Sequence, residues 1–252
     1  MNSNDFFPRN GRIIYLKDYA GYGQIAIREE IEHNALVRLL TINDVRESAT
    51  FIEDGKHYDL YFKYTRDLVA PLEKKPDIKE VLLLGGAGFS IPKYIISHYP
   101  EVHIDVVELK REMYELAMDY FYLDQLYAEY NLHEDNRMDV YILDANDYIY
   151  ETKKKYDLII NDAYIGNNMD DDLVKDARVK QMKKLLNPNG VYIINLITAV
   201  KGPSSMPGIL EWEILKNNYK NTDMFPVKKE AGALEKQNVI LTATDGPWVP
   251  VR

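Results

Sequence analysis

Apolar and polar positions change rhythm once along this chain, near residue 75. From Arg12 to about Phe62 the apolar residues come in short β-type runs: Ile13-Ile14-Tyr15, Gln24-Ile25-Ala26-Ile27, Leu36 to Leu40, and Ala49-Thr50-Phe51-Ile52. Turn-prone residues separate them at Gly21-Tyr22-Gly23, His33-Asn34, Asn43-Asp44 and Asp54-Gly55. This spacing predicts a small antiparallel sheet, followed by a helix over Tyr58 to Leu72. The charged, proline-bearing stretch Glu73-Lys74-Lys75-Pro76-Asp77 marks a boundary. It divides the chain into a tail over 1–11, a β-rich domain over 12–72 and a second domain over 77–252.

Beyond the boundary, strands and helices alternate. Glu80 to Leu84 is a near-continuous apolar run, the pattern of a strand covered on both faces. A glycine turn follows, then a helix over Ile91 to His98, a strand over Ile104 to Leu109 and a long helix from Arg111 to Tyr122. Further strands are predicted at Val140 to Leu143, Tyr156 to Ile160 and Val191 to Leu196, with helices at Asp147 to Tyr150 and Asp172 to Leu186. The last helix ends at Asn187-Pro188-Asn189-Gly190. A helix near Gly208 to Asn218 and a strand near Asn238 to Thr244 complete the pattern. Repeated βα units demand right-handed crossovers, so the fold class is α/β with a doubly wound, mostly parallel Rossmann-type sheet.

Composition narrows the chemistry. With 46% apolar residues in 252, the chain can bury a full core. A net charge of -9 lacks the basic face that binding to nucleic acid requires. No apolar run reaches the roughly 18 to 20 residues of a membrane span, and Met1 to Asn10 shows no signal pattern, so a cytoplasmic location is expected. There is no cysteine, and the five histidines show no metal-ligand spacing. No P-loop or G-x-S-x-G turn occurs.

Four strand ends carry candidate chemistry. Gly85-Gly86-Ala87-Gly88 lies where the first strand of the second domain meets a helix, so its backbone can turn tightly beside a ligand. Glu108 ends the next strand about 20 residues later, where an acid accepts ribose hydroxyls. Asp144, in Leu143-Asp144-Ala145, suits an exocyclic adenine amine, or else a helix N-cap. Asp162 ends the fourth strand, in Ile159-Ile160-Asn161-Asp162-Ala163-Tyr164, where a carboxylate can take a proton from an attacking amine or hold a cation.

Taken together, Val81 to Gly88, Val106-Val107-Glu108, Leu143-Asp144-Ala145 and Tyr156 to Asp162 resemble the polyamine aminopropyltransferases, the spermidine synthases. Tyr22 to Ile27, Leu39 to Ser48 and His57-Tyr58-Asp59 are similar to that family's amino-terminal β-domain, so the likeness covers 12–196. It implies the Rossmann-type fold shared with S-adenosylmethionine-dependent methyltransferases and an adenosyl cofactor, either S-adenosylmethionine or its decarboxylated form. It assigns Gly85, Gly86, Gly88, Glu108, Asp144 and Ala145 to the cofactor, Asp162 to catalysis, and Glu47, Tyr58, Asp59 and Tyr164 to a small acceptor such as an amine. It also implies a homodimer; no metal is expected, because the histidines lack ligand spacing.

Departures from the family pattern decide which reaction is expected. The family aspartate that holds the amine of the decarboxylated donor is Gly88 here, and the second acid of its D-S-x-D-P segment is Ile165. Gly88 removes an acid and leaves room for the carboxylate of ordinary S-adenosylmethionine, so methyl transfer is the leading expectation. Aminopropyl transfer is the alternative, its acids supplied by Glu47, Asp59 or the Asp170-Asp171-Asp172 run. A catalytically silent binding or assembly protein is a second alternative, with Phe89 filling the methionine end of the pocket.

Overall fold

A computed structural model of the chain describes residues 11–21, 23–165, 168–169, 176–228 and 230–247. Four antiparallel strands open the fold: β1 (Arg12–Tyr19), β2 (Gly23–Glu32), β3 (Ala35–Ile42) and β4 (Val45–Phe51), paired in sequence order. His33-Asn34 and Asn43-Asp44 make the two tight turns. All four residues take positive φ, which asparagine and aspartate tolerate well, and this two-residue geometry matches strand twist. One face of this sheet buries Ile25, Ile27, Leu40 and Ile42 against Met113, Leu116 and Phe121 of the larger domain.

The helix expected from Tyr58 starts later, as α1 (Lys63–Lys74). Residues 52–62 instead form turns and extended chain, with Leu60 buried. Then come β5 (Glu80–Leu84), α2 (Ser90–His98), β6 (His103–Glu108), α3 (Arg111–Tyr120), α4 (Leu123–Glu129), α5 (Leu132–Asp135), β7 (Met138–Ile142), α6 (Ala145–Glu151) and β8 (Tyr156–Asn161). The single helix predicted from Arg111 to Tyr122 is broken where Tyr122 takes φ 60° and starts α4. After β8 a two-residue pair, β9 (Tyr164–Ile165) and β10 (Asn168–Met169), precedes α7 (Asp176–Leu185) and β11 (Leu186–Thr198). The chain closes with α8 (Met206–Asn218), β12 (Asn221–Pro226) and β13 (Gln237–Thr244).

The large sheet runs β12-β13-β11-β8-β5-β6-β7. Its five strands from β11 to β7 are mutually parallel, and β13 inserts antiparallel between β11 and β12. The parallel part is the expected doubly wound sheet; the antiparallel β12–β13 edge was not anticipated. Strand order reverses between β5 and β8, and a crevice opens at the carboxyl ends of strands at such a switch point. No helix among the described residues is long and apolar enough to cross a membrane.

One buried acid works against the fold. Glu211 on α8 is 2% exposed, and its Oε1 has no hydrogen-bond partner. Burial pushes its carboxyl up to about 8. Because the folded value lies above the unfolded one, stability falls as pH rises from about 4.5 through 8. Glu211→Gln is expected to raise the melting midpoint by several degrees at pH 8.5 and to leave it unchanged at pH 4. Thermal scans at the two pH values check this, and equal shifts at both would refute it.

Candidate active site

The cavity at the switch point measures about 370 Å³ and is roofed by the amino-terminal sheet through Glu47, Ser48 and Ala49 of β4. Its floor joins the glycine turn after β5 to the end of β8. Gly85, at φ 92°, passes so close to β8 that a Cβ there would lie 2.6 Å from the Asp162 carbonyl oxygen. Gly86 is equally constrained, since a Cβ would meet the Phe89 ring at 2.9 Å. Phe89 itself is fully buried at φ 55°, edge-on to Tyr114 at 5.6 Å. It therefore packs beneath the turn and does not line the cavity, so the expectation that Phe89 fills the methionine end is overturned.

Gly88 is also absent from the cavity wall. A Cβ at this position would lie 2.6 Å from Ser48 Oγ and 2.8 Å from Ser48 Cβ. The space beside Gly88 is thus taken by β4 and is not open for a cofactor carboxylate, which corrects the reason given for preferring methyl transfer. Gly88→Asp is expected to lower stability by roughly 1–3 kcal/mol through overpacking, without improving affinity for a decarboxylated donor. Denaturant titration and calorimetric binding check it; tighter donor binding at unchanged stability would refute it.

Glu108 anchors the turn. Its Oε2 accepts the Gly86 amide at 2.8 Å and the Ala87 amide at 3.1 Å, while Oε1 accepts the Lys110 amide at 2.9 Å. The turn amides expected to face a ligand are therefore directed at this carboxylate. An ionised carboxylate has about four lone-pair sites, so one remains for a ligand hydroxyl. Asp144 caps α6, accepting the Asn146 amide on Oδ1 at 2.7 Å. It lines the cavity beside Ala145, so the capping and binding readings coexist.

Asp162 lines the cavity just beyond the end of β8. Its Oδ1 accepts from Asn195 Nδ2 at 2.8 Å, and Tyr64 donates a further hydrogen bond. Asn195 in turn is held by Asn238 Nδ2 at 3.0 Å. Burial outweighs these two donors and pushes the Asp162 carboxyl up to about 7. Such a group accepts a proton near neutral pH, which suits a general base.

The remaining assigned positions separate. Glu47 lines the cavity. Tyr58 and Asp59 do not: the Tyr58 hydroxyl donates to Glu129 Oε2 at 2.8 Å, and Asp59 lies 3.8 Å from His98. Their place is taken by Tyr61, Phe62 and Tyr64, because α1 begins only at Lys63. Tyr64 lines the cavity and bonds to Asp162; the backbone of Tyr164 is in β9, and its side chain, like the Asp170–Asp172 run, lies outside the described residues. Asn195 and Tyr64 escaped the sequence reading; the available signals were a polar residue within the apolar run Val191 to Ile197 and the dense aromatics of Tyr58 to Tyr64.

A 3-2-1-4-5 parallel order with acids at the ends of its second, third and fourth strands defines the class: a Rossmann-type α/β fold. Residues 61–197 match the spermine/spermidine synthase domain, and the chain belongs to that family. It is 29% identical over 152 residues to the polyamine aminopropyltransferase of Vibrio vulnificus, an alignment spanning 59% of this chain and 48% of that protein. It is 30% identical over 129 residues to the human eEF1A lysine and N-terminal methyltransferase, spanning 46% of this chain and 17% of that one. The chain thus spans about half the length, or less, of these two relatives. A crystal structure of a probable spermidine synthase from Corynebacterium glutamicum superposes with a TM-score of 0.75 at 19% identity, covering 95% of this chain and 81% of that one, a likeness of fold.

Proposed function

We propose that this chain is an aminopropyltransferase that binds decarboxylated S-adenosylmethionine and a small amine acceptor. The observation that carries this reading is the charge of the cavity. Among the described residues, Glu47, Glu108, Asp144 and Asp162 line it with a single ammonium, that of Lys110. A decarboxylated donor brings a sulfonium and an ammonium and no carboxylate, and an amine acceptor adds a further cation. An acidic, partly desolvated wall favours both over a carboxylate-bearing cofactor.

The residues fit an adenosyl group on geometric grounds: Glu108 keeps one acceptor site for a ribose hydroxyl, and Asp144 Oδ2 is left over by the N-cap bond. When bound, the cofactor supplies an electrophilic carbon next to its sulfonium. Asp162 accepts the proton of the acceptor amine, so that its nitrogen lone pair is available for displacement. Asn195 and Tyr64 fix the direction of that carboxylate, and the roof from β4 keeps water from the reacting end.

The test is product analysis. Decarboxylated S-adenosylmethionine with putrescine should yield methylthioadenosine and an aminopropylated amine. Methyl transfer is the second reading, and the glycine at position 88 favours it, because no acid stands there to hold the amine of a decarboxylated donor. S-adenosylhomocysteine formed from S-adenosylmethionine, with no methylthioadenosine from the decarboxylated donor, would replace the first reading by the second. Binding of adenosyl compounds without either product would assign the chain a non-catalytic role.

A further inference from the structure

Among the described residues, Lys93 is the one lysine with a fully buried side chain, at 1% exposure on α2, and nothing in the proposed chemistry uses it. Its ammonium reaches three oxygens from three separate parts of the fold. It donates to Thr50 Oγ1 on β4 at 3.2 Å, to the His57 carbonyl in the following loop at 3.2 Å, and to the Phe121 carbonyl between α3 and α4 at 2.5 Å. Thr50 Oγ1 also donates to the His57 carbonyl at 2.8 Å, closing the ring of contacts. The face of Tyr122, stacked on His57 at 3.8 Å, lies 5.9 Å from the ammonium. Arg38 of β3, paired with Glu29 of β2 and bonded to the Tyr120 carbonyl, is the other charged group beside it.

This junction has a direct line to the cavity. Three residues before Lys93, Ser90 bonds Ser48 Oγ at 2.8 Å and the Ala49 carbonyl at 2.9 Å. Ser48, Ala49 and Ser90 all line the cavity, with Glu47 next to them. A primary amine buried among unlike elements is costly to desolvate, so its oxygens must be held in place for the fold to tolerate it. Four carbons of stem reach through a close-packed interface where a shorter donor would not.

We infer that Lys93 is a positioning residue that latches β4, the cavity roof, onto the nucleotide-binding sheet and so sets the affinity of the site for its adenosyl ligand. The inference rests on the reading of the cavity as an adenosyl site. Lys93→Met keeps the length of the side chain and removes its donors. Three measurements on the full chain test the role: the calorimetric dissociation constant of methylthioadenosine, the thermal midpoint, and amide hydrogen exchange by segment. The dissociation constant should rise roughly tenfold, the worth of buried bonds to an amine, and exchange should quicken in 47–51 and 57–60 while β5, β6 and β8 keep their protection. An unchanged dissociation constant, or exchange that quickens evenly along the chain, overturns the proposal. If Lys93→Met fails to fold, Thr50→Val removes one acceptor at constant shape and should raise the dissociation constant roughly threefold; no change there also overturns it. Should the wild-type chain bind no adenosyl compound, the cavity reading fails, and the exchange experiment still decides whether Lys93 is a latch.

Discussion

Asp162→Asn is expected to reduce turnover by roughly 10²–10⁴-fold, the range general acid–base catalysis supplies, while cofactor affinity stays within a few fold. The substitution keeps the shape at the end of β8 and an oxygen for Asn195 Nδ2, but removes the proton acceptor. The pH dependence gives an independent check. With its carboxyl pushed up to about 7, Asp162 acts as a base only when deprotonated, so wild-type turnover should fall below about pH 7 and level off above it. That limb should vanish in the variant. Stability should move the opposite way. A carboxyl whose folded value exceeds its unfolded value of 3.8 withdraws stability as pH rises from about 4 through 7. The variant should therefore be more stable than wild type at pH 8, by of the order of 2–4 kcal/mol, and equal to it near pH 3.5. Normal turnover in Asp162→Asn, or a penalty to stability at pH 8, would remove Asp162 from the role assigned to it.

Glu108→Ala carries the second large effect, on binding and folding together. Three backbone amides, those of Gly86, Ala87 and Lys110, lose their acceptor at once. Ala87 already sits at φ 41°, so the turn has little freedom to find other partners. A loss of roughly 2–5 kcal/mol of stability is expected from unsatisfied buried donors, and adenosyl binding should weaken by at least roughly tenfold, about 1.4 kcal/mol. Glu108→Gln should rescue only part of this. Both carboxylate oxygens accept amides, whereas a glutamine presents one oxygen and one NH₂, so either the Oε2 side or the Oε1 side meets a donor. Denaturant titrations paired with calorimetry of methylthioadenosine would show this order, alanine worst and glutamine intermediate. Wild-type stability in the alanine variant would mean that the glycine turn does not depend on Glu108.

The two variants differ in a way that reports on the architecture. Asp162 is held by side chains from α1 and β11, so its loss leaves the backbone in place. Glu108 is held by the backbone it supports, so function and fold cannot be separated there. By the same distinction, segment-specific exchange separates a latch at Lys93 from a general loss of stability.

The linear sequence determined the elements whose signals are local. The apolar runs at Val81 to Leu84 and Leu158 to Ile160, the glycine turn and the strand-ending acids Glu108, Asp144 and Asp162 follow from periodicity and turn chemistry within a few residues. They were enough for the sheet type, the family likeness and part of the cavity wall. Tertiary structure decided what depends on residues distant along the chain. Ser48 closes the space beside Gly88 across 40 positions, Phe89 folds under its own turn, and Tyr64 reaches Asp162 while Tyr58 turns to Glu129. The antiparallel β12–β13 edge and the buried contacts of Lys93 belong to the same group. A side chain's type is local, but its partner is set by which elements pack together, and that packing is chosen by the burial of the whole core.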